Sequence, residues 1–123
     1  MKIEFSERQK IEGVIRFERS IAMIFTHYSM FIAKSISERL EVFNLFKERY
    51  SQMVREIPQV ISAVVLENCV DRFGNCDILV KLELTDESGL QAYIKHELHL
   101  RLMEETAGRV EKVCGFDCIK ERL

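Results

Sequence analysis

The 123-residue chain contains one proline and no tryptophan, and it lacks any long apolar run. Because a transmembrane helix needs about 20 apolar residues in a row, we expect no membrane span. The N-terminus carries acidic side chains and has no extended apolar core, so no secretory signal is expected either. Its 18 basic and 20 acidic residues are well mixed, with a net charge of −2. Without a basic block, neither nucleic acid nor an anionic membrane is an expected partner.

The cysteines show none of the spacings that zinc sites use. Cys69, Cys76, Cys114 and Cys118 form no CxxC pair and no zinc-ribbon pattern. The simplest interpretation is four reduced thiols in a cytoplasmic protein. Cys69 and Cys76 flank a predicted turn, so a disulfide between them is the alternative. We expect no metal and no cofactor.

The length fits one domain, because domains typically run to 100–150 residues. A chain this short buries a modest core, so we expect a partner subunit to contribute to its stability. Residues 1–22 are the least regular part, with a short amphipathic helix predicted over about 6–20. Since a solitary short helix is marginal in water, we expect this N-terminal extension to cover an apolar surface of the domain, residues 23–123.

The periodicity of apolar residues predicts the elements of that domain. From residue 21 the pattern has period two, with His27 and Ser29 on one strand face and Tyr28 and Met30 on the other. After the capping pattern that begins at Ser35, helical spacing follows. The predicted elements are a strand from residue 21, a helix over 36–57 ended by Pro58, strands over 60–67 and 76–84, a helix from about 86 with a break near 95–97, and a strand over 110–119.

This order, βαββαβ, predicts a ferredoxin-like α+β fold. Two right-handed βαβ units then give a four-stranded antiparallel sheet with both helices on one face. Tyr28, Met30 and Ile32 lie on the other face and are too apolar to be left in water. A second copy of the chain is the simplest cover, so we predict a homodimer joined through its sheet faces.

Residues 23–119 resemble the stress-responsive dimeric α/β-barrel (Dabb) family, whose members usually begin near Met23. The family's motif Tyr-x-x-His-Pro-x-His is matched here by Tyr93–His99, with Glu97 in place of the proline. The stretches that carry the resemblance are Met23–His27, Glu56–Pro58, Asp77–Val80 and Tyr93–His99. The resemblance implies a dimeric α/β barrel, and most members have no assigned activity.

The best-understood enzyme of that family is similar to a plant polyketide cyclase, which closes an aromatic acid by aldol condensation without a cofactor. Carried over by position, the resemblance implies that His99 is the catalytic histidine and Tyr93 the substrate-polarising tyrosine. His27 and Tyr50 match other polar residues of the pocket. A further pocket histidine of that enzyme falls at Ile78 here, which argues against transfer of the same reaction.

The histidines and tyrosines allow two interpretations, a catalytic one and a plainer one in which they only pack in the structure. His99, three residues after His96 on the helix, suits a general base near pH 7. Tyr93 or Tyr50 is then placed to stabilise an oxyanion. In the plainer interpretation these are half-buried residues that fill the gap between helix and sheet. His27 is then a core histidine bonded to a backbone carbonyl.

These residues allow three alternative hypotheses for the function of the protein. The leading hypothesis is a protein that binds a small aromatic or acyl molecule between sheet and helices. The second is a cofactor-free cyclase or isomerase with His99 as base and Tyr93 assisting. The third is a structural homo-oligomer whose cavity is filled by its own side chains. The candidate ligand-binding residues are His27, Tyr50, His96, Phe25, Phe31 and Ile78.

Overall fold

The computed structural model describes residues 22–122, and the predicted N-terminal helix lies outside them. The elements are β1 (Ala22–Ala33), α1 (Ile36–Glu56), β2 (Val60–Glu67), β3 (Ile78–Leu84), α2 (Glu87–Lys95), α3 (Glu97–Thr106) and β4 (Val110–Arg122). The strands form one sheet in the order β2-β3-β1-β4, and every neighbouring pair is antiparallel. The predicted ferredoxin-like fold is therefore confirmed. Among the described residues, no helix is both long and apolar enough to cross a membrane.

Helix α1 begins and ends where its capping residues predict. The Ser35 hydroxyl accepts the backbone N–H of Glu38 at 3.2 Å, which satisfies one of the free donors of the first turn. The helix ends at Glu56 because Ile57, which precedes Pro58, takes an extended conformation. One face, spaced at three and four residues, is buried: Val42, Phe46, Tyr50 and Met53.

The core lies between α1 and the middle of the sheet. Strand β3 alternates strictly between buried and half-buried residues, as a strand with one sealed face must. Its inner residues are Ile78, Val80, Leu82 and Leu84, all fully buried. From β1, Phe31 packs edge-on against Phe46 of α1 with 4.7 Å between ring centroids.

The second predicted helix is two helices, α2 and α3, broken at His96. The break falls within the interval that the sequence predicted. His96 has ψ 144°, so the chain is extended there, and its side chain accepts the Leu98 N–H to cap α3. Glu97, which stands where the family has proline, is the first residue of α3 and pairs with Arg101. The break therefore forms without the proline.

The third and fourth predicted strands, over 76–84 and 110–119, differ from the observed β3 and β4 by a few residues. Strand β3 begins at Ile78 rather than at residue 76, because the Asp77 carboxylate accepts the Ala33 N–H at 2.8 Å and pairs with Arg39. Strand β4 extends to Arg122 because it pairs with the whole of β1. All four cysteines are free thiols.

The outer face of the sheet, away from the helices, holds a shallow apolar depression of about 490 Å³. Phe116, on this face, and Leu66, on the outer side of β2, are more than half exposed. The depression is lined by Tyr28, Met30, Leu79, Cys114, Gly115, Phe116 and Cys118.

Candidate functional site

The inner face of β1 presents polar side chains to the helices in the middle of the strand. His27 lies opposite Leu82 of β3 on one side and Asp117 of β4 on the other. Its ring centroid is 5.9 Å from that of Tyr93 on α2. Phe25, two residues before His27, and Phe31, four residues after it, pack against the hydrophobic core. The inner face of β1 thus places the imidazole of His27 between the phenyl rings of Phe25 and Phe31.

Two buried tyrosines meet between the helices. The hydroxyls of Tyr50 on α1 and Tyr93 on α2 lie 2.7 Å apart, and each residue is 2% exposed. Burial raises the pKa of Tyr50 to about 12 and raises the pKa of Tyr93 well above 10. Both therefore stay protonated near neutral pH. Because only one of the two hydrogens lies in their mutual bond, the other remains available to a third group.

The helix break fixes the orientation of His99. In a continuous helix the Ile94 carbonyl would accept the Leu98 N–H. Here that N–H bonds instead to Nδ1 of His96 at 3.1 Å, and Nδ1 of His99 lies 3.0 Å from the Ile94 oxygen. A carbonyl can only accept, so Nδ1 of His99 carries the proton and Nε2 of the neutral ring is left as an acceptor. His96 thus acts through the backbone to position His99.

The surroundings of His99 favour its neutral form. Burial lowers the pKa of this imidazole below its ordinary 6.5, the Ile94 hydrogen bond partly opposes the shift, and the nearby His27 lowers the pKa further. The ring lies against Tyr93, with 4.5 Å between centroids. At pH 7 the site therefore holds an unprotonated imidazole beside a protonated phenol.

His27 is held by two side chains. Its Nδ1 lies 2.5 Å from Oδ1 of Asp117, and its Nε2 lies 3.0 Å from the Ser29 hydroxyl. The backbone-carbonyl partner expected in the plainer interpretation is therefore wrong. The sequence analysis did not identify Asp117 as a site residue. The signal that could have done so is its position, because it is an acidic residue within an otherwise largely apolar part of the last strand. Its proximity to His27 depends on the β1–β4 register.

The structure brings His27, Tyr50, Tyr93 and His99 together and places the other candidates around them. His96 caps α3 through its own ring, so that nitrogen is occupied. Ile78 is buried in the core and lies opposite Phe31 in the sheet register. The polar rings therefore form one cluster, whereas Ile78, Phe25 and Phe31 pack in or against the hydrophobic core.

A groove of about 520 Å³ opens between α1 and β2 and reaches Tyr50. Its apolar wall includes Val54 of α1 and Ala63 and Val65 of β2. Lys47 and Arg55, both exposed, also line it and give one side a positive charge. The groove is large enough for a small organic molecule.

Within residues 22–122, no three His, Cys, Asp or Glu side chains are grouped so that they could hold a metal ion. The chemistry available to the cluster is proton transfer and hydrogen bonding. His99 offers a bare Nε2, and the tyrosine pair offers one O–H to a carbonyl or oxyanion.

The comparisons with known proteins agree with this fold. A dimeric protein of unknown function with a ferredoxin-like fold from Bacteroides fragilis is 20% identical, with a TM-score of 0.70 over 77% of this chain and 94% of that one. A Dabb family protein with a ferredoxin-like fold from Mesorhizobium loti is 19% identical, with a TM-score of 0.64 over 79% of this chain and 96% of that one. A search of curated proteins finds no match.

These likenesses place the chain in the class of ferredoxin-like α+β domains, among solved neighbours described as dimeric. The family profile of the stress responsive A/B barrel domain matches residues 25–120. The chain therefore belongs to the stress-responsive A/B barrel (Dabb) family, as the resemblance implied. No specific activity comes with that membership.

Proposed function

We propose that the protein binds a small, partly apolar molecule with an acidic or carbonyl group between its sheet and helices. The observation that carries this proposal is the continuity of the α1–β2 groove with the polar rings. The groove reaches Tyr50, Tyr50 is hydrogen-bonded to Tyr93, and Tyr93 contacts His99. A ligand in the groove would contact Tyr50 and would affect Tyr93 and His99 through the hydrogen bond and the ring contact that link them to it.

The composition of the groove defines the class of ligand. Aliphatic side chains of α1 and β2 suit an alkyl chain or an aromatic ring, because burial of apolar surface contributes about 25 cal/mol per Å². Lys47 and Arg55 complement a carboxylate. The expected ligands are aromatic acids and acyl compounds.

A histidine-labelled NMR screen with aromatic acids and acyl compounds tests the binding proposal. A true ligand should shift the His99 resonances, and Ala63→Phe, which fills the groove, should weaken its binding at least tenfold. Lys95→Ala, an exposed change on α2, is the control and should bind normally. If no compound shifts His99, or if Ala63→Phe binds as tightly as the wild type, the structural homo-oligomer becomes the better account.

The tautomer of His99 favours a second candidate function, cofactor-free proton transfer of the cyclase or isomerase type. The bare Nε2 would take a proton from the carbon next to a carbonyl, and Tyr93 would stabilise the resulting enolate oxygen. Bound ligands that contain such a proton should exchange it for deuterium in D₂O. His99→Gln should abolish that exchange and preserve the affinity, whereas loss of affinity alone favours a binding protein.

We also propose that the outer sheet face joins two copies in a homodimer. The face exposes apolar side chains around its 490 Å³ depression, and solved neighbours of this fold are described as dimeric. Phe116→Lys should convert the dimer to monomer in light scattering, whereas Lys120→Ala should not. A wild-type monomer at all concentrations, or a dimer that survives Phe116→Lys, contradicts this interface.

A further proposal concerns the N-terminal extension, residues 1–22. We propose that residues 1–22 cover apolar surface of the domain or dimer, so their deletion should lower thermal stability or solubility. A deletion that changes neither of these, nor the oligomeric state, contradicts this proposal.

We also propose a cytoplasmic location, which is supported by the four free thiols, because reducing compartments maintain thiols. Recovery in the secreted fraction would contradict it.

A further inference from the structure

We propose that Ser29 is a nucleophile that activated esters can acylate, with His27 as its base and Asp117 as the residue that holds that base. The proposal goes beyond the function above, because it uses neither His99 nor the tyrosine pair. It concerns instead the three side chains that β1 and β4 place in one hydrogen-bonded chain.

The hydrogen bonds in this chain run in the direction that nucleophilic catalysis needs. The Asp117 carboxylate can only accept, so Nδ1 of His27 carries a proton and donates it across 2.5 Å. Nε2 of the neutral ring is then bare and accepts the Ser29 O–H across 3.0 Å. A serine whose proton points at a base, with the base oriented by a carboxylate, is the arrangement that activates a hydroxyl.

Access to the serine comes over β4. Ser29 is itself buried, but the residue opposite it in the register is Gly115. A Cβ at that glycine would lie 3.9 Å from Cε1 of His27 and 3.8 Å from the Tyr28 carbonyl oxygen, with nothing closer. The residue opposite Ser29 on β4 therefore places no side chain over the hydroxyl, and a glycine inside a strand often marks a place where another group approaches closely.

The neighbourhood also suits an acyl group. Asp117 has 44% of its side chain exposed while His27 has 14%, so the carboxylate end of the chain of bonds meets solvent. On either side along β4, Val113 and Ile119 are exposed on the same face and offer apolar contact. Short-chain activated esters and thioesters are the substrates that this surface would take.

The proposed reaction is acylation of Ser29 followed by hydrolysis of the acyl-serine. The Ser29 oxygen bonds to the carbonyl carbon of the ester while its proton moves to Nε2 of His27. The tetrahedral intermediate collapses, the bond from that carbon to the leaving oxygen or sulfur breaks, and the leaving group takes the proton from Nε2. Water then repeats the sequence on the acyl-serine, which releases a carboxylic acid. Asp117 stays ionised throughout.

The experiment uses the full chain with its thiols blocked by N-ethylmaleimide, because exposed cysteines also react with active esters. The protein is incubated with p-nitrophenyl butyrate and an alkyl fluorophosphonate, and adducts are mapped by peptide mass spectrometry. We expect a burst of p-nitrophenol and a single adduct on Ser29. Ser29→Ala should lose both, and Asp117→Asn should slow the burst roughly a hundredfold. Ser37→Ala, an exposed serine on α1, is the matched control and should react normally.

Circular dichroism and thermal melts establish that each variant is folded. His27→Gln should keep Ser29 in place but prevent its phosphonylation, which separates loss of the base from loss of the fold. An absence of any adduct in the folded wild type overturns the proposal. So does an acyl group mapped to His27 or to another serine, or a Ser29→Ala variant that reacts as fast as wild type.

Discussion

The two neighbours of β1 give its inner face opposite surroundings. Towards β3, the residues opposite Phe25, His27, Ser29 and Phe31 are Leu84, Leu82, Val80 and Ile78, none more than 1% exposed. Towards β4, the residues opposite the same four are Ile119, Asp117, Gly115 and Val113, all exposed. Strand β1 therefore borders the buried core on its β3 side and an exposed surface that carries the Asp117 carboxylate on its β4 side.

The difference follows from where the helices lie. Helix α1 packs on β2 and β1 and α2 contacts β3, so side chains there must be apolar and closely packed. Strand β4 is at the edge of the sheet and its residues 111–117 are exposed, so a carboxylate and a glycine cost little there. The polar rings of the site occupy the boundary, where His27 can contact the Asp117 carboxylate at the edge and Tyr93 from the helices.

The largest expected effect separates the two flanks of Phe25. Leu84→Ala should lower the free energy of unfolding by about 2–5 kcal/mol, because it removes buried methyl groups and leaves a cavity. Ile119→Ala, on the other side of the same residue and 62% exposed, should change it by about 0.5 kcal/mol or less. Urea unfolding measures both. Equal losses would mean that the β4 flank is covered in solution.

The next effect concerns the buried tyrosine pair. Tyr93→Phe leaves the Tyr50 hydroxyl buried without its partner, which should cost about 1–3 kcal/mol of stability. The double replacement with Tyr50→Phe should cost much less than the sum of the two single ones, since it removes both hydroxyls together. A double-mutant cycle by urea unfolding measures the coupling. Additive losses would show that the two hydroxyls do not depend on each other.

Stability should also depend on pH through His99. Its pKa in the folded protein lies below 6.5, so the unfolded chain binds the proton first as the pH falls. The contribution to stability is therefore fully present above pH 6.5 and is lost as the pH falls from there through the folded pKa. His99→Gln should flatten the decline in unfolding free energy across this acidic interval. An unchanged slope in the variant would assign the pH dependence to other groups.

The smallest effect should come from restoring the proline of the family motif. Glu97 is the first residue of α3, and His96 before it has φ −67° and ψ 144°, which suits a residue that precedes proline. Glu97→Pro should therefore change stability by about 1 kcal/mol or less and leave the His99 resonances in place. Leu100→Pro, inside the same helix, is the contrast and should unfold it. Disruption by Glu97→Pro would show that the break depends on glutamate.

Much of the fold could be predicted because local patterns agree with it. Alternation identified the inner face of β1, Ser35 identified the start of α1, and Pro58 identified its end. The site was less accessible. The contact between His27 and Asp117 joins residues 90 positions apart and depends on the β1–β4 register. His96 is an uncommon capping residue, so nothing in the sequence marked it as the start of α3, and its ligand contact stays a prediction.

The break at His96 gives the site a neutral His99 with a protonated Nδ1 and a free Nε2. Nitrogen-15 NMR of the histidine rings, assigned with single variants and followed from pH 4.5 to 8.5, tests it directly. We expect His99 to titrate below 6.5 and its neutral form to carry the proton on Nδ1. A His99 that titrates at or above 6.5, or whose neutral form is protonated on Nε2, would contradict it.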